Sequence, residues 1–126
     1  MKYLQSIFVA VLVVLAASAH ASGADITGTW KASFDTQIGQ QNYTYTFVVK
    51  DTTLTGKIQS EMGGTSEIVD GKVEGDKISF VEIFKYEGME IRITYSGQAA
   101  SADEIKFTRQ VAEFATEEIV AKRVKG

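Results

Sequence analysis

The residues of this chain that could do chemistry are carboxylates, arginines, lysines and tyrosines. The chain has no cysteine, and its one histidine, His20, lies in an N-terminal segment that we expect to be removed. Without these two residue types the mature chain lacks nucleophilic triads, thiol redox chemistry and the usual ligands of zinc, copper and haem. The composition therefore favours binding over catalysis.

Some charged residues occur where an apolar side chain would be expected. Four of them share the parity of apolar neighbours in their predicted strands: Glu82, Arg109, Glu117 and Arg123. Because side chains alternate between the two faces of a strand, all four are predicted to point inward. A buried charge is costly when it is unpaired, so each should pair, reach solvent or contact a ligand.

These inward charges allow several arrangements. We favour an internal salt bridge between Glu82 and either Arg109 or Arg123, or contact with solvent at the mouth of a barrel. In a second arrangement, beneath an aromatic rim, Arg109 donates hydrogen bonds to a ligand and Glu82 accepts hydrogen bonds from it. A β-bulge would reverse the parity. Glu82 and Glu117 could act as a glycosidase carboxylate pair only across an open cleft.

Aromatic residues form the second set of candidates. Trp30, Tyr43, Tyr45 and Tyr95 lie on predicted inward faces, where large aromatic side chains more often belong to the core. Tyr86, beside the predicted Glu87-Gly88 turn, is the better candidate for an exposed platform that stacks on a sugar. The predicted ligand-binding residues are Trp30, Tyr45, Glu82, Tyr86, Tyr95, Arg109 and Arg123.

No catalytic residue, metal site or cofactor is predicted. Asp70, Glu74 and Asp76 surround two glycines, but their spacing matches no established calcium loop. We interpret them as a solvated turn.

The elements that position these residues are short alternating runs rich in Thr, Val, Ile, Tyr and Phe. They recur between Gly and Asp turn signals, which is typical of all-β proteins. The predicted strands span residues 28–35, 43–51, 53–60, 66–71, 77–85, 89–97, 104–111 and 116–124. Short connections exclude parallel crossovers, so we predict a single antiparallel eight-stranded up-and-down barrel.

The N-terminus has the layout of a secretory signal. Lys2 precedes an apolar run at residues 7–17, and small residues surround Ala19-His20-Ala21. The run is well short of the roughly 20 residues that span a bilayer. We expect a signal peptide at 1–21, a barrel domain at 22–126, a secreted or periplasmic location and no membrane span after cleavage.

The motif Gly28-Thr29-Trp30, the strand order and a late arginine, Arg109 or Arg123, resemble the lipocalin and calycin pattern. That resemblance implies a Trp at the barrel floor with a basic side chain packed across it. Residues 28–35, 54–57, 75–80 and 114–124 also resemble uncharacterised β-domains of exported bacterial proteins, some of them appended to carbohydrate-active enzymes. The second resemblance implies sugar-related binding and no active site.

These observations predict an exported, non-catalytic binding protein for a small hydrophobic or carbohydrate ligand. The alternatives are a structural or protein-interaction module without a small ligand, an accessory domain of a secreted carbohydrate-active enzyme, and an enzyme. A mildly acidic surface with interspersed charges argues against nucleic acid as a partner. The sequence identifies no protein partner.

Overall fold

The computed structural model describes residues 24–62 and 64–125, which form one antiparallel sheet of nine strands. The strands are β1 (Gly28–Thr36), β2 (Gly39–Lys50), β3 (Thr53–Ser60), β4 (Gly64–Glu67), β5 (Val69–Glu74), β6 (Lys77–Tyr86), β7 (Met89–Ser101), β8 (Glu104–Val111) and β9 (Ala115–Arg123). The predicted signal peptide lies outside the described residues. Within them, no helix is both long enough and apolar enough to cross a membrane.

The sheet closes on itself as an up-and-down barrel. Except for β4 and β5, each strand pairs with the next one along the chain, and β1 pairs with β9. β4 and β5 both pair with β3 and together form one wall segment, so the barrel has eight segments. Pairing of the first strand with the last reduces the exposed sheet edge. The predicted all-β, eight-stranded antiparallel barrel is therefore confirmed.

The fourth predicted strand, residues 66–71, is wrong in its bounds. This part of the wall is two short strands, and the pairing of β5 with β6 shifts register between Val69 and Lys72. Asp70 has a φ of 52°, and a Cβ on Gly71 would lie 2.1 Å from the carbonyl oxygen of Leu54. A backbone that bends and approaches its neighbour this closely does not keep a simple alternation.

Alternation places a largely aromatic core inside the barrel. The largest fully buried side chains are Trp30, Tyr43, Tyr45, Tyr95, Phe47, Phe80 and Phe107. The rings of Phe80 and Tyr95 stack with their centroids 4.3 Å apart. The inward faces predicted for the aromatic residues of β1, β2 and β7 are confirmed.

One end of the barrel, which we call the sealed end, is covered by residues 24–27. The amide of Ala24 donates to the carbonyl of Gly75, and the indole N–H of Trp30 donates to the carbonyl of Ile26 at 2.9 Å. The guanidinium of Arg123 lies 4.5 Å from the centre of the Trp30 ring. This geometry confirms that Trp30 lies at the barrel floor with a late arginine across it.

Arg123 also ties the sealed end together. It donates to the carbonyls of Ala102, Thr27 and Asp25 at 2.9, 2.8 and 3.2 Å. A Cβ on Gly28 would lie 2.8 Å from its Nη1 atom. The glycine of the Gly-x-Trp motif therefore leaves room for the arginine.

Candidate functional site

A buried polar group lies towards the other end of the barrel, which we call the open end. We call it the Arg109 cluster: Arg109, Glu82, Glu117, Tyr43 and Tyr95. Arg109 on β8 lies opposite Tyr95 on β7 and opposite Glu117 on β9 in the strand registers. Glu82 comes from β6 and Tyr43 from β2, so the cluster joins five strands across the interior.

The guanidinium is the centre of this cluster. Nε donates to the Tyr95 hydroxyl at 2.9 Å, Nη2 donates to the Tyr43 hydroxyl at 2.7 Å, and Nη1 donates to Oε1 of Glu117. Oε1 of Glu82 lies 3.8 Å from Nη2. Arg109 thus interacts with two carboxylates at once.

Both oxygens of Glu82 also accept hydrogen bonds from tyrosines. Tyr95 donates to Oε1 at 2.8 Å and Tyr43 donates to Oε2 at 2.9 Å. The Tyr45 hydroxyl lies 2.9 Å from the Tyr95 hydroxyl, whose single proton forms the hydrogen bond to Glu82. Because a hydroxyl has only one proton, Tyr45 must be the donor in that pair.

Burial governs the protonation of this cluster, since Glu82 is 1% exposed and Arg109 is 3% exposed. Burial raises the pKa of Glu82, against the lowering effects of Arg109 and of the hydrogen bonds from Tyr95 and Tyr43. Burial opposes the charge on Arg109, but the oxygens of Tyr95, Tyr43 and Glu82 together raise its pKa. Burial also raises the pKa of Tyr45 and Tyr95.

Aromatic rings hold the guanidinium from its faces. Its central carbon lies 5.0 Å from the ring centres of Phe34 and Tyr43 and 5.7 Å from that of Tyr95. Such distances allow cation–π attraction. Ring contacts and hydrogen bonds together fix the position of Arg109.

A cavity of about 120 Å³ lies between the Arg109 cluster and solvent at the open end. Arg109, Glu117 and Gln41 contribute polar groups to its lining. The apolar lining is Ile38, Phe84, Tyr86, Ile91, Ile93, Val111 and Phe114.

The ladder between β1 and β9 consists of two residue pairs, Trp30 with Arg123 and Lys31 with Lys122, both near the sealed end. Beyond these pairs, Thr36 of β1 and Ala115 and Glu117 of β9 line the cavity.

The rim of the open end is apolar and exposed. The connections β1–β2, β3–β4 and β8–β9, and the first residue of β7, each present one large apolar side chain to solvent: Ile38, Met62, Phe114 and Met89. We call these four residues the apolar rim. Phe114 is the most exposed of them, at 62%. Exposed apolar groups gathered at one end are typical of binding surfaces.

The structure separates the seven predicted site residues into groups. Arg109 and Tyr86 line the cavity, whereas Glu82, Tyr45 and Tyr95 lie in the buried network beneath it. Trp30 and Arg123 lie at the sealed end. The four charged residues predicted to point inward do so, and the favoured pairing of Glu82 with Arg109 is present.

Two expectations about the site need correction. Tyr86 is partly buried and stacks on Phe84 with ring centres 6.1 Å apart, so the exposed aromatic is Phe114 instead. The favoured salt bridge joined Arg109 to Glu82, but Glu117 is the acid closest to Arg109. The short connection between β8 and β9 indicates this pairing, because the hairpin that it forms places Arg109 opposite Glu117.

The outer wall carries a larger and shallower concavity of about 950 Å³ between β5 and β9. Its lining includes Lys72, Ser79, Ser96 and Thr108, and its one aromatic, Phe107, points into the core. It therefore offers no aromatic ring on which a sugar could stack.

The chemistry available at the open end is recognition by shape, apolar contact and a few fixed polar groups. Both oxygens of Glu82 are occupied by tyrosines, so this carboxylate is not presented to a substrate. Among the described residues, no group of three or more acids could hold a metal ion. No protein-family model, curated protein or solved structure matches this chain.

Proposed function

We propose that this chain is a binding protein whose small, largely apolar ligand enters at the open end of the barrel. The observation that carries the proposal is the cavity of about 120 Å³ with a mainly apolar wall, a polar base and an exposed apolar rim. Ligand sites commonly combine apolar walls with a few polar groups that orient the ligand. We also propose a secreted or periplasmic location, from the signal-like layout of residues 1–21.

The lining favours a hydrophobic ligand over a carbohydrate. Apolar side chains gain free energy from covering apolar surface but leave sugar hydroxyls without hydrogen-bond partners. Of the cavity residues, Gln41, Arg109 and Glu117 could hold polar groups at one end of a ligand. A molecule with an apolar body and one polar terminus fits this division.

The volume of the cavity limits the size of the ligand. Sites for drug-sized ligands occupy roughly 300–1,000 Å³, whereas this cavity has about 120 Å³. The ligand is therefore small, or it inserts one end and lays the remainder across the apolar rim.

Thermal unfolding with 1-hexanol as the probe tests this proposal. A ligand that binds only the folded chain raises the melting temperature in a saturable way. We expect Phe114→Ser to weaken the effect, because Phe114 lines the cavity. The matched control is Val120→Ser, which removes an exposed apolar side chain from β9 outside the cavity lining. The proposal would be contradicted if 1-hexanol caused no saturable rise in the melting temperature. It would also be contradicted if both variants weakened that rise equally.

A second candidate is a protein-interaction module, and the apolar rim favours it. Met62 and Met89 are exposed at this end but do not line the cavity, so a small ligand does not account for them. A photo-crosslinking amino acid at position 89, with position 48 on the outer wall as control, tests this alternative. Reproducible capture of one defined protein at position 89 alone, without any effect of 1-hexanol on unfolding, would favour it.

A further inference from the structure

We propose that the ligand of the open-end cavity carries a positive charge, as an alkyl or aromatic ammonium or amidinium compound. This inference rests on the proposed function and adds the charge of the ligand to it. It follows from the polar groups at the base of the cavity and from the charges around its mouth.

The base of the cavity presents a hydrogen-bond acceptor more readily than a donor. Arg109 already donates to Tyr95, Tyr43 and Glu117 and lies near Glu82. An anionic ligand would have to displace these partners and leave a buried carboxylate without its cation. The guanidinium is therefore a poor receptor for an anion.

Glu117 has the opposite character. Among the described residues its carboxylate receives one hydrogen bond, from Arg109 to Oε1. The side chain is 12% exposed and lines the cavity. Its second oxygen, Oε2, is thus available to accept a hydrogen bond from a ligand N–H group, which is strongest when the donor is charged.

The charge balance points the same way. Glu82 and Glu117 share one guanidinium, so the buried groups carry one negative charge in excess when both acids are ionised. A cation at the base of the cavity would compensate that excess. The apolar walls around it exclude water and strengthen the attraction.

The mouth of the cavity is acidic as well. The connections at the open end contain Glu61, Glu87 and Glu113 but neither Lys nor Arg. Nearby Lys85 and Arg92 form ion pairs with Glu90 and Asp70. The negative charge of these connections attracts cations towards the cavity and repels anions.

Isothermal titration calorimetry with three probes of equal chain length tests the inference. Hexylammonium, 1-hexanol and hexanoate each contain six carbon atoms in an unbranched chain and differ in their terminal group. At pH 7 and low salt we expect hexylammonium to bind about tenfold more tightly than 1-hexanol, the effect of one charge-assisted hydrogen bond. Hexanoate should bind more weakly than 1-hexanol.

A pair of variants on β9 assigns the effect to one carboxylate. Glu117→Gln should reduce the preference for hexylammonium over 1-hexanol to less than about threefold. Glu118→Gln is the matched control, because Glu118 is exposed on the outer face and bonds Thr108. The order of affinities in the wild type tests the charge of the ligand even if Glu117→Gln does not fold.

The outcomes separate this inference from the function on which it rests. Equal affinity for all three probes, or tighter binding of hexanoate, would overturn the inference and leave the apolar binding site standing. Absence of binding by all three would overturn both. Retention of the full preference in Glu117→Gln would overturn the role of Glu117.

Discussion

Arg109 lies where a charge would ordinarily be expensive, inside the barrel and away from water. Its position is tolerable because two carboxylates, two phenol hydroxyls and the faces of aromatic rings surround it. Those same partners would be left buried without compensation if the arginine were removed. The cluster therefore makes the fold depend on a few residues far apart in sequence.

Replacing the arginine should destabilise the fold strongly. Arg109→Met leaves two buried carboxylates without a cation, and we expect a loss of about 3–5 kcal/mol in the free energy of unfolding. Adding Glu82→Gln to that variant should recover part of the loss, because one uncompensated charge disappears.

Urea unfolding of the single and double variants measures this coupling. Arg92→Met is the matched control, since Arg92 is exposed on β7 and should change stability by less than about 0.5 kcal/mol. A double variant no more stable than Arg109→Met would contradict the structural role of the pair.

Glu82 should give the fold a characteristic dependence on pH. A carboxyl whose pKa is raised in the folded state stabilises most when it is protonated, below its unfolded value of about 4.5. That contribution is lost as pH rises through the folded pKa. The stability of the wild type relative to Glu82→Gln should therefore increase as pH falls from 7 towards 4.5.

Urea midpoints of the two proteins across this range measure the difference. Comparison with Glu118→Gln, which removes an exposed carboxylate of β9, corrects for general effects of charge. A difference between wild type and Glu82→Gln that stays constant or shrinks on acidification would refute the raised pKa.

The alternation of apolar and polar residues along each strand predicted most of the barrel. Strands such as β3 and β8 are found at the bounds expected from their sequence, and the inward charges of β6 and β8 follow from the same parity. Parity works because each strand buries one face, so a slip of one residue would expose the core.

Alternation could not predict features that depend on how strands meet. The break between β4 and β5 arises from a register shift, and the pairing of Arg109 with Glu117 arises from the β8–β9 register. The cavity lies beside the part of β1 and β9 that follows the end of their ladder at Lys31. Each of these features depends on how two strands align with one another, and the alternation within a single strand does not determine that alignment.

The β6–β7 turn offers a test at this scale. Glu87 and Gly88 have φ angles of 50° and 79°, as a two-residue type I′ hairpin requires. Asn tolerates this region better than Glu, so Glu87→Asn should stabilise the fold by about 0.5–1 kcal/mol. Glu87→Gln removes the same charge without the conformational benefit. Equal effects of the two variants on thermal unfolding would argue against the backbone explanation.

The two ends of the barrel differ in construction. Residues 24–27 and Arg123 cover the sealed end with hydrogen bonds to backbone carbonyls. The open end instead presents a cavity and the apolar rim. A barrel closed at one end and accessible at the other is suited to taking a ligand from a single direction.

The only tryptophan reports on the sealed end. Because Trp30 is fully buried, its emission should be blue-shifted and iodide should quench it weakly. Arg123→Met should increase quenching by opening this end, whereas Lys125→Met, a change to an exposed side chain, should not. Emission like that of free tryptophan in the wild type would contradict the described burial.

Methyl NMR during titration with 1-hexanol tests whether the open end of the barrel is a ligand site. The methyl signals of Ile91, Ile93 and Val111, which line the cavity, should shift in a saturable manner. Those of Ile26 at the sealed end and of Val48 on the outer wall should stay in place. Absence of saturable shifts at the cavity methyls, or larger shifts at Ile26 or Val48, would contradict the claim.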